Sequence, residues 1–307
     1  MIVDALAGCI PDPDAFAAGE ATTLGRLRGY AEHFRGDVEP ARNYAEVERR
    51  IEDEYEKAKR RAPTEEEFFG MFETAGIGLA AVYAERYASA IGVTTAPNDD
   101  VAAFVAKDPE RLIGIAGIDP WEPDAASEVD RAVQELGLKG VILSPFKQHT
   151  APESARMARV YGRCEALGIP VFLHTGINWS LDSDYEVGHP RGIDRIATAF
   201  PDLKIVAIHA GWPWVLDMMM VAWRHRNVYL DISAHRPKHF TVPESGWTPL
   251  TYYGNRMLSD RILFASTWTL IGIPPADLIA EVRQLPLKDA VIDQWLGGNA
   301  LRLFDRA

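Results

Sequence analysis

The chain has 307 residues, with 44 acidic against 32 basic side chains and a formal charge of −12. No basic run is longer than Lys59-Arg60-Arg61 and the most apolar windows, such as Gly140–Leu143 and Ile205–Ile208, are four to six residues long, so neither a nucleic acid nor a membrane is an expected partner. Forty-seven per cent hydrophobic residues, two cysteines (Cys9 and Cys164) and a start, Met1-Ile2-Val3-Asp4, without a leader pattern give the expectation of a cytoplasmic globular protein.

Taken in chain order, short β-branched runs alternate with helical stretches, the pattern of βα units on a parallel sheet. The first strand is expected at Met1–Ala5. About seventy residues then interrupt the rhythm, and residues 12–76 read as a helical insertion with a charged helix at Tyr44–Arg61 and another at Thr64–Ala75. Most charges of the first helix belong to a solvated face. An insertion after a first barrel strand leaves from the C-terminal face, so it is expected to cap the mouth. Further strands follow at Ile77–Tyr83, Leu112–Ile118, Gly140–Leu143, Pro170–Thr175, Lys204–His209, Val228–Asp231 and Ile262–Ala265. Helices are expected between them, for example at Asp124–Leu136, Pro152–Leu167, Gly192–Phe200 and Pro274–Gln284, and Leu287–Phe304 closes the chain. Eight strands in βα order predict an α/β fold, a (β/α)8 TIM barrel forming one domain over residues 1–307. The competing open, doubly wound sheet lacks a GxGxxG turn after its first strand.

In such a barrel the chemistry sits at the C-terminal ends of the strands. The polar residues there are Asp4, Ser144, His174, His209, Asp231 and the Ser266-Thr267-Trp268 turn. His174 and His209 each end an apolar strand and each precede a small residue and a glycine, so they are expected to face one cavity. His235 and Arg236 leave the strand that ends at Asp231, and a guanidinium there would either clamp a substrate carboxylate or pair with a surface acid. Trp179, Trp212, Trp214 and Trp268 follow strand ends at the expected mouth, which weighs a flat unsaturated or aromatic ligand evenly against simple packing.

Several stretches carry a resemblance: Leu167-Gly168-Ile169-Pro170-Val171-Phe172-Leu173-His174-Thr175-Gly176, Phe200-Pro201-Asp202-Leu203-Lys204-Ile205-Val206-Ala207-Ile208-His209-Ala210-Gly211, Asn227-Val228-Tyr229-Leu230-Asp231-Ile232-Ser233, Asp260-Arg261-Ile262-Leu263-Phe264-Ala265-Ser266, and the shorter Gly137–Val141 and Gly298–Ala300. Over nearly the whole chain the sequence resembles the amidohydrolase-2 family, which includes aminocarboxymuconate semialdehyde decarboxylase and the resorcylate decarboxylases. The resemblance implies a zinc or manganese ion held by an HxH pair on the first strand, a histidine on the fifth and an aspartate on the eighth, with the sixth-strand histidine as acid/base. Here the HxH positions are Leu6 and Gly8 and the aspartate position is Thr267, so only His174 and His209 match the pattern.

A zinc site needs about three protein ligands, and Leu, Gly and neutral Thr are poor ones. The expectation is therefore a protein with no metal and no cofactor, a lyase with decarboxylation among its candidate reactions, acting on a small aromatic or unsaturated carboxylic acid. His209 is the expected general acid/base and His174 a second one or an anchor, with Asp4 orienting a histidine. Trp179, Trp212, Trp214, Asp231, His235, Arg236, Thr267 and Trp268 are the expected substrate-binding set. Two alternatives stay open: a metal-dependent hydrolase with ligands rebuilt from His174, His209, Asp231 and Asp4, and a non-catalytic binding protein on the same barrel. The resemblance also implies a homodimer.

Overall fold

A computed structural model of the chain describes residues 1–21, 44–180 and 182–306. Eight parallel strands follow one another around a barrel in sequence order: β1 (Ile2–Cys9), β2 (Ile77–Tyr83), β3 (Leu112–Gly117), β4 (Val141–Leu143), β5 (Val171–His174), β6 (Ile205–Ile208), β7 (Val228–Asp231) and β8 (Ile262–Leu263). The alternation of side chains along each strand divides the core. One set, including Val3, Ala5, Leu79, Ile113, Phe172 and Val206, fills the barrel interior. The other set, including Ala80, Leu112, Val171 and Ile205, packs under the helices.

The barrel closes between its first and last strands. Ala5 N donates to Phe264 O at 2.9 Å and Thr267 N to Leu6 O at 3.0 Å. The buried Asp4 carboxylate reinforces this seam, accepting from Ser266 N at 2.9 Å and from Ser266 Oγ at 2.5 Å.

Strand β1 runs to Cys9, four residues past the expected Ala5. Leu6 and Ala7 are apolar and fully buried, and the register with β2 resumes at Gly8 and Cys9 after an irregularity. Leu6 and Gly8, two of the positions where the resemblance expects metal ligands, thus lie within this strand, Gly8 just past the irregularity. Of the expected insertion, helices α1 (Pro13–Ala21), α2 (Tyr44–Arg61) and α3 (Glu65–Ala75) are described. Phe16 and Ala17 of α1 pack on Ala58 of α2. Helix α3 starts at a reciprocal cap, in which Thr64 Oγ1 accepts from Glu67 N at 3.2 Å and Glu67 Oε2 accepts from Thr64 N at 2.8 Å. Gly76, at φ 68°, stops it in the left-handed conformation. The central part of the 12–76 insertion, residues 22–43, lies outside the described residues. Among the described residues no helix is long and apolar enough to cross a membrane.

Candidate active site

His174 and His209 meet at the mouth. In the β5–β6 register His174 lies opposite Ile208, and the two imidazole centroids are 5.0 Å apart at 79°. His209 and the following Ala210 adopt left-handed conformations, φ 65° and 49°, which cost non-glycine residues roughly 1–3 kcal/mol each. The strain is held by partners: His209 N donates to Asp231 Oδ1 at 2.9 Å. Gly176 passes so close to the Trp212 carbonyl that any side chain there would collide with it, and Ile177 N donates to that same carbonyl at 2.8 Å. The loops after β5 and β6 are therefore locked to each other.

The hydrogen bonds of His209 decide its tautomer. Ser233 Oγ donates to Asp231 Oδ1 at 2.5 Å, so toward His209 Nδ1, 2.9 Å away, that oxygen can only accept. The Ser233 carbonyl is also 2.9 Å from Nδ1. Both partners are acceptors, so Nδ1 carries the proton, and in the neutral ring Nε2 is left as the acceptor. Burial pushes the His209 pKa below the ordinary histidine value, outweighing the opposing pull of the Asp231 carboxylate. Burial pushes His174 well below it, with the neighbouring His209 and then Lys147 adding to the effect. Both rings are accordingly neutral bases near pH 7.

A cavity of about 340 Å³ opens over these rings, lined also by His235, Thr267 and the tryptophans Trp179, Trp212 and Trp247. His235 stands edge-on to Trp247 with centroids 4.7 Å apart, and its centroid is 6.0 Å from His209. Burial, and secondarily the nearby His209, push its pKa down to about 3. A hollow of about 520 Å³ between residues 149–153 and 182–195 contains no strand-end residue. Convergence of strand ends therefore places the candidate site at the smaller cavity.

Several expected residues are elsewhere. Arg236 is paired with Glu281, Nε to Oε1 at 2.9 Å, and does not line the cavity. Trp214 packs against Tyr185 and His189, at 5.1 and 4.8 Å. Trp268 is buried near Phe68, at 6.1 Å. Asp231 sits behind His209, as the acceptor just described, rather than facing the cavity. Asp4 has its oxygens on Leu6 N and on Ser266, not on an imidazole.

Three polar residues that the strand-end survey left without a role complete the lining. Glu85, two residues past β2, and Lys147, four past β4, form an ion pair at 2.6 Å, each side chain 12% exposed. Ser144 Oγ donates to the second oxygen of Glu85, at 2.6 Å. A survey extended four residues beyond each strand would have found both charges.

The residues present do not fit the divalent ion that the resemblance implies. Leu6 lines the cavity as an apolar wall. A Cβ on Gly8 would lie 2.8 Å from Thr269 Oγ1, so a ligating side chain there would need Thr269 to move. Thr267 turns its hydroxyl back onto the Ser266 carbonyl at 2.8 Å. The rebuilt set of His174, His209, Asp231 and Asp4 is not assembled either, and among the described residues no three His, Cys, Asp or Glu side chains are grouped to hold a metal.

Comparison with known proteins adds the family. The amidohydrolase family model matches residues 37–306. A gamma-resorcylate decarboxylase of Polaromonas sp. is 26% identical over 248 residues, covering 67% of this chain and 74% of that protein. An uncharacterised TIM-barrel protein from Bordetella bronchiseptica superposes with a TM-score of 0.74 at 24% identity, over 99% of this chain and 98% of its own. A dihydroxybenzoic acid decarboxylase from Polaromonas sp., solved with manganese and the inhibitor 2-nitroresorcinol, gives a TM-score of 0.66 at 18% identity, over 99% and 96% of the two chains.

Proposed function

Because the chain belongs to the amidohydrolase family, and its strand-end histidines share a cavity without the family's ligand set, we propose that it is a metal-independent lyase that decarboxylates a small hydroxylated aromatic acid. The decarboxylase relatives support the reaction class, and the aromatic cavity walls support a flat ring. The observation that carries the proposal is the fixed tautomer of His209, which leaves Nε2 as a base at the cavity.

The chemistry follows from that base. A substrate hydroxyl ortho or para to the carboxylate gives its proton to His209 Nε2, and the ring gains the electron density of a phenolate. The imidazolium returns the proton to the ring carbon that bears the carboxylate. The carbon–carboxylate bond then breaks, its electron pair restores the aromatic ring and carbon dioxide leaves. The product phenolate takes a proton from water, which balances the reaction. His174, neutral and 5.0 Å from His209, hydrogen-bonds the reacting substrate. A cytoplasmic setting, suggested by a sequence with only two cysteines, and a homodimer, implied by the resemblance, belong to the same proposal.

2-Nitroresorcinol, the inhibitor held by the Polaromonas structure, carries a nitro group where 2,6-dihydroxybenzoate carries its carboxylate, which makes that acid the first to try. Incubation with it should release carbon dioxide and 1,3-dihydroxybenzene, and the His209→Asn variant should bind the acid but turn it over far more slowly. Absence of turnover with a panel of ortho- and para-hydroxybenzoates, all of them bound, would refute the decarboxylase reading in favour of a binding protein.

A further inference from the structure

A pocket for an organic acid needs a positive group, and the residues expected to supply one do not. Arg236 is spent on Glu281 outside the cavity, and the three replaced ligand positions carry no donor suited to a cation. Among the described residues Lys147 is the only cationic side chain that lines the cavity.

Lys147 is also built in. Its ammonium donates to Glu85 Oε2 at 2.6 Å and lies over the Phe146 and Tyr87 rings, 5.8 and 5.4 Å from their centroids. Glu85 is fixed in turn: Ser144 Oγ holds its other oxygen, and its backbone exchanges bonds with Thr95, Glu85 N to Thr95 Oγ1 at 2.8 Å and Thr95 N to Glu85 O at 3.0 Å. Directly beneath, Gly117 leaves room for the Ala84 carbonyl that a side chain would strike. Among the described residues Glu85 is the sole hydrogen-bond acceptor of the ammonium, which has three donors. Two N–H groups are therefore left for a ligand, and a charge-assisted bond from a side chain only 12% exposed is strong.

We infer that Lys147 is the carboxylate anchor of this cavity, positioned by Glu85 and Ser144, and that it selects flat monocarboxylates over the same rings without the acid group. The inference rests on the proposed function only for the choice of ring. Phe146 links the anchor to the histidines, since it precedes Lys147 and its ring centroid lies 4.5 Å from that of His174. A cavity of about 340 Å³ is at the small end of ligand pockets, which suits a single ring.

The test is a binding titration, read through the fluorescence of the lining tryptophans, with 2,6-dihydroxybenzoate and with 1,3-dihydroxybenzene. The wild type should bind the acid at least tenfold more tightly. Removing Lys147 alone would strand the Glu85 charge, so the variant of choice is the double Glu85→Gln, Lys147→Met. It should bind both compounds within twofold of each other and keep the wild-type affinity for 1,3-dihydroxybenzene. Should that protein fail to fold, Lys147→Gln, which still donates to Glu85, answers the same question. Arg236→Gln should keep the preference. A tenfold preference that survives loss of the Lys147 charge, its absence in the wild type, or its loss in Arg236→Gln would each overturn the inference. Carbon dioxide release is measured separately: a Lys147-dependent preference without turnover leaves the anchor standing and removes the decarboxylase reading, whereas turnover with a preference independent of Lys147 does the reverse.

Discussion

His209 Nδ1 lies 2.9 Å from both the carbonyl and the hydroxyl oxygen of Ser233, while that hydroxyl is itself committed to Asp231. This one relationship fixes which nitrogen is protonated and leaves the other as a base, and it turns the strain of a left-handed histidine into a defined orientation. The carboxylate of Asp231 thus acts through Ser233 and through the His209 backbone, as a positioning group.

Replacing His209 by Asn removes the proton carrier and should lower kcat by about 10²–10⁴-fold, the usual worth of general acid–base catalysis. Ligand affinity should change little. Steady-state kinetics together with direct binding separates the two effects, and a parallel loss of binding would assign His209 to recognition instead.

The Ser233→Ala variant keeps the carbonyl acceptor but releases the hydroxyl bridge, leaving Asp231 with the backbone N–H groups of His209 and Ser233. A tenfold fall in kcat with KM nearly constant is expected. Its pH profile should also move, since the proton on Nδ1 loses one acceptor. An unchanged profile and rate would mean that the bridge does not set the tautomer.

The acid limb of kcat/KM follows from burial. His209 accepts a proton only when neutral, and burial lowers its pKa from the ordinary histidine value. Activity is therefore present above that lowered pKa and is lost as pH falls through it, with a midpoint below about 6.5. A midpoint above 7 would require a different base.

Asp4 predicts a separate pH effect, on stability. Burial pushes its pKa up to about 6, against the hydrogen bonds from Ser266 and Leu6 that work to lower it. Between pH ~4 and ~6 the folded protein retains a proton that the unfolded chain has released, so stability falls as pH rises through that window, by on the order of 3 kcal/mol. Asp4→Asn should abolish this component, seen as a pH-dependent difference between the urea unfolding curves of the two proteins. Asp4→Ala leaves the Ser266 donors unpaired at the β1–β8 seam and should cost about 2–3 kcal/mol at pH ~4, a penalty that shrinks toward pH ~6 because the variant has lost the same titrating carboxyl.

The barrel was legible because its strands are short, β-branched and separated by capped helices, and the two strand-end histidines were legible because each interrupts an apolar run. The strand that carries Leu6 extends past the expected Ala5 to Cys9, because the buried apolar Leu6 and Ala7 continue it. Long-range partners were the harder part. Glu281, 45 residues from Arg236, takes that guanidinium out of the site, and Lys147 becomes meaningful only beside Glu85, 62 residues earlier. Trp214 and Trp268 follow strand ends as Trp212 does, but their loops carry them onto Tyr185, His189 and Phe68. No spacing rule within one segment reveals such pairings.

Decarboxylation by histidine without a metal is tested by turnover of 2,6-dihydroxybenzoate by purified protein of known metal content, before and after chelation. Far less than one zinc or manganese per chain and an unchanged rate after chelation are expected. About one tightly held ion per chain, with activity abolished by the chelator and restored by manganese, would contradict it.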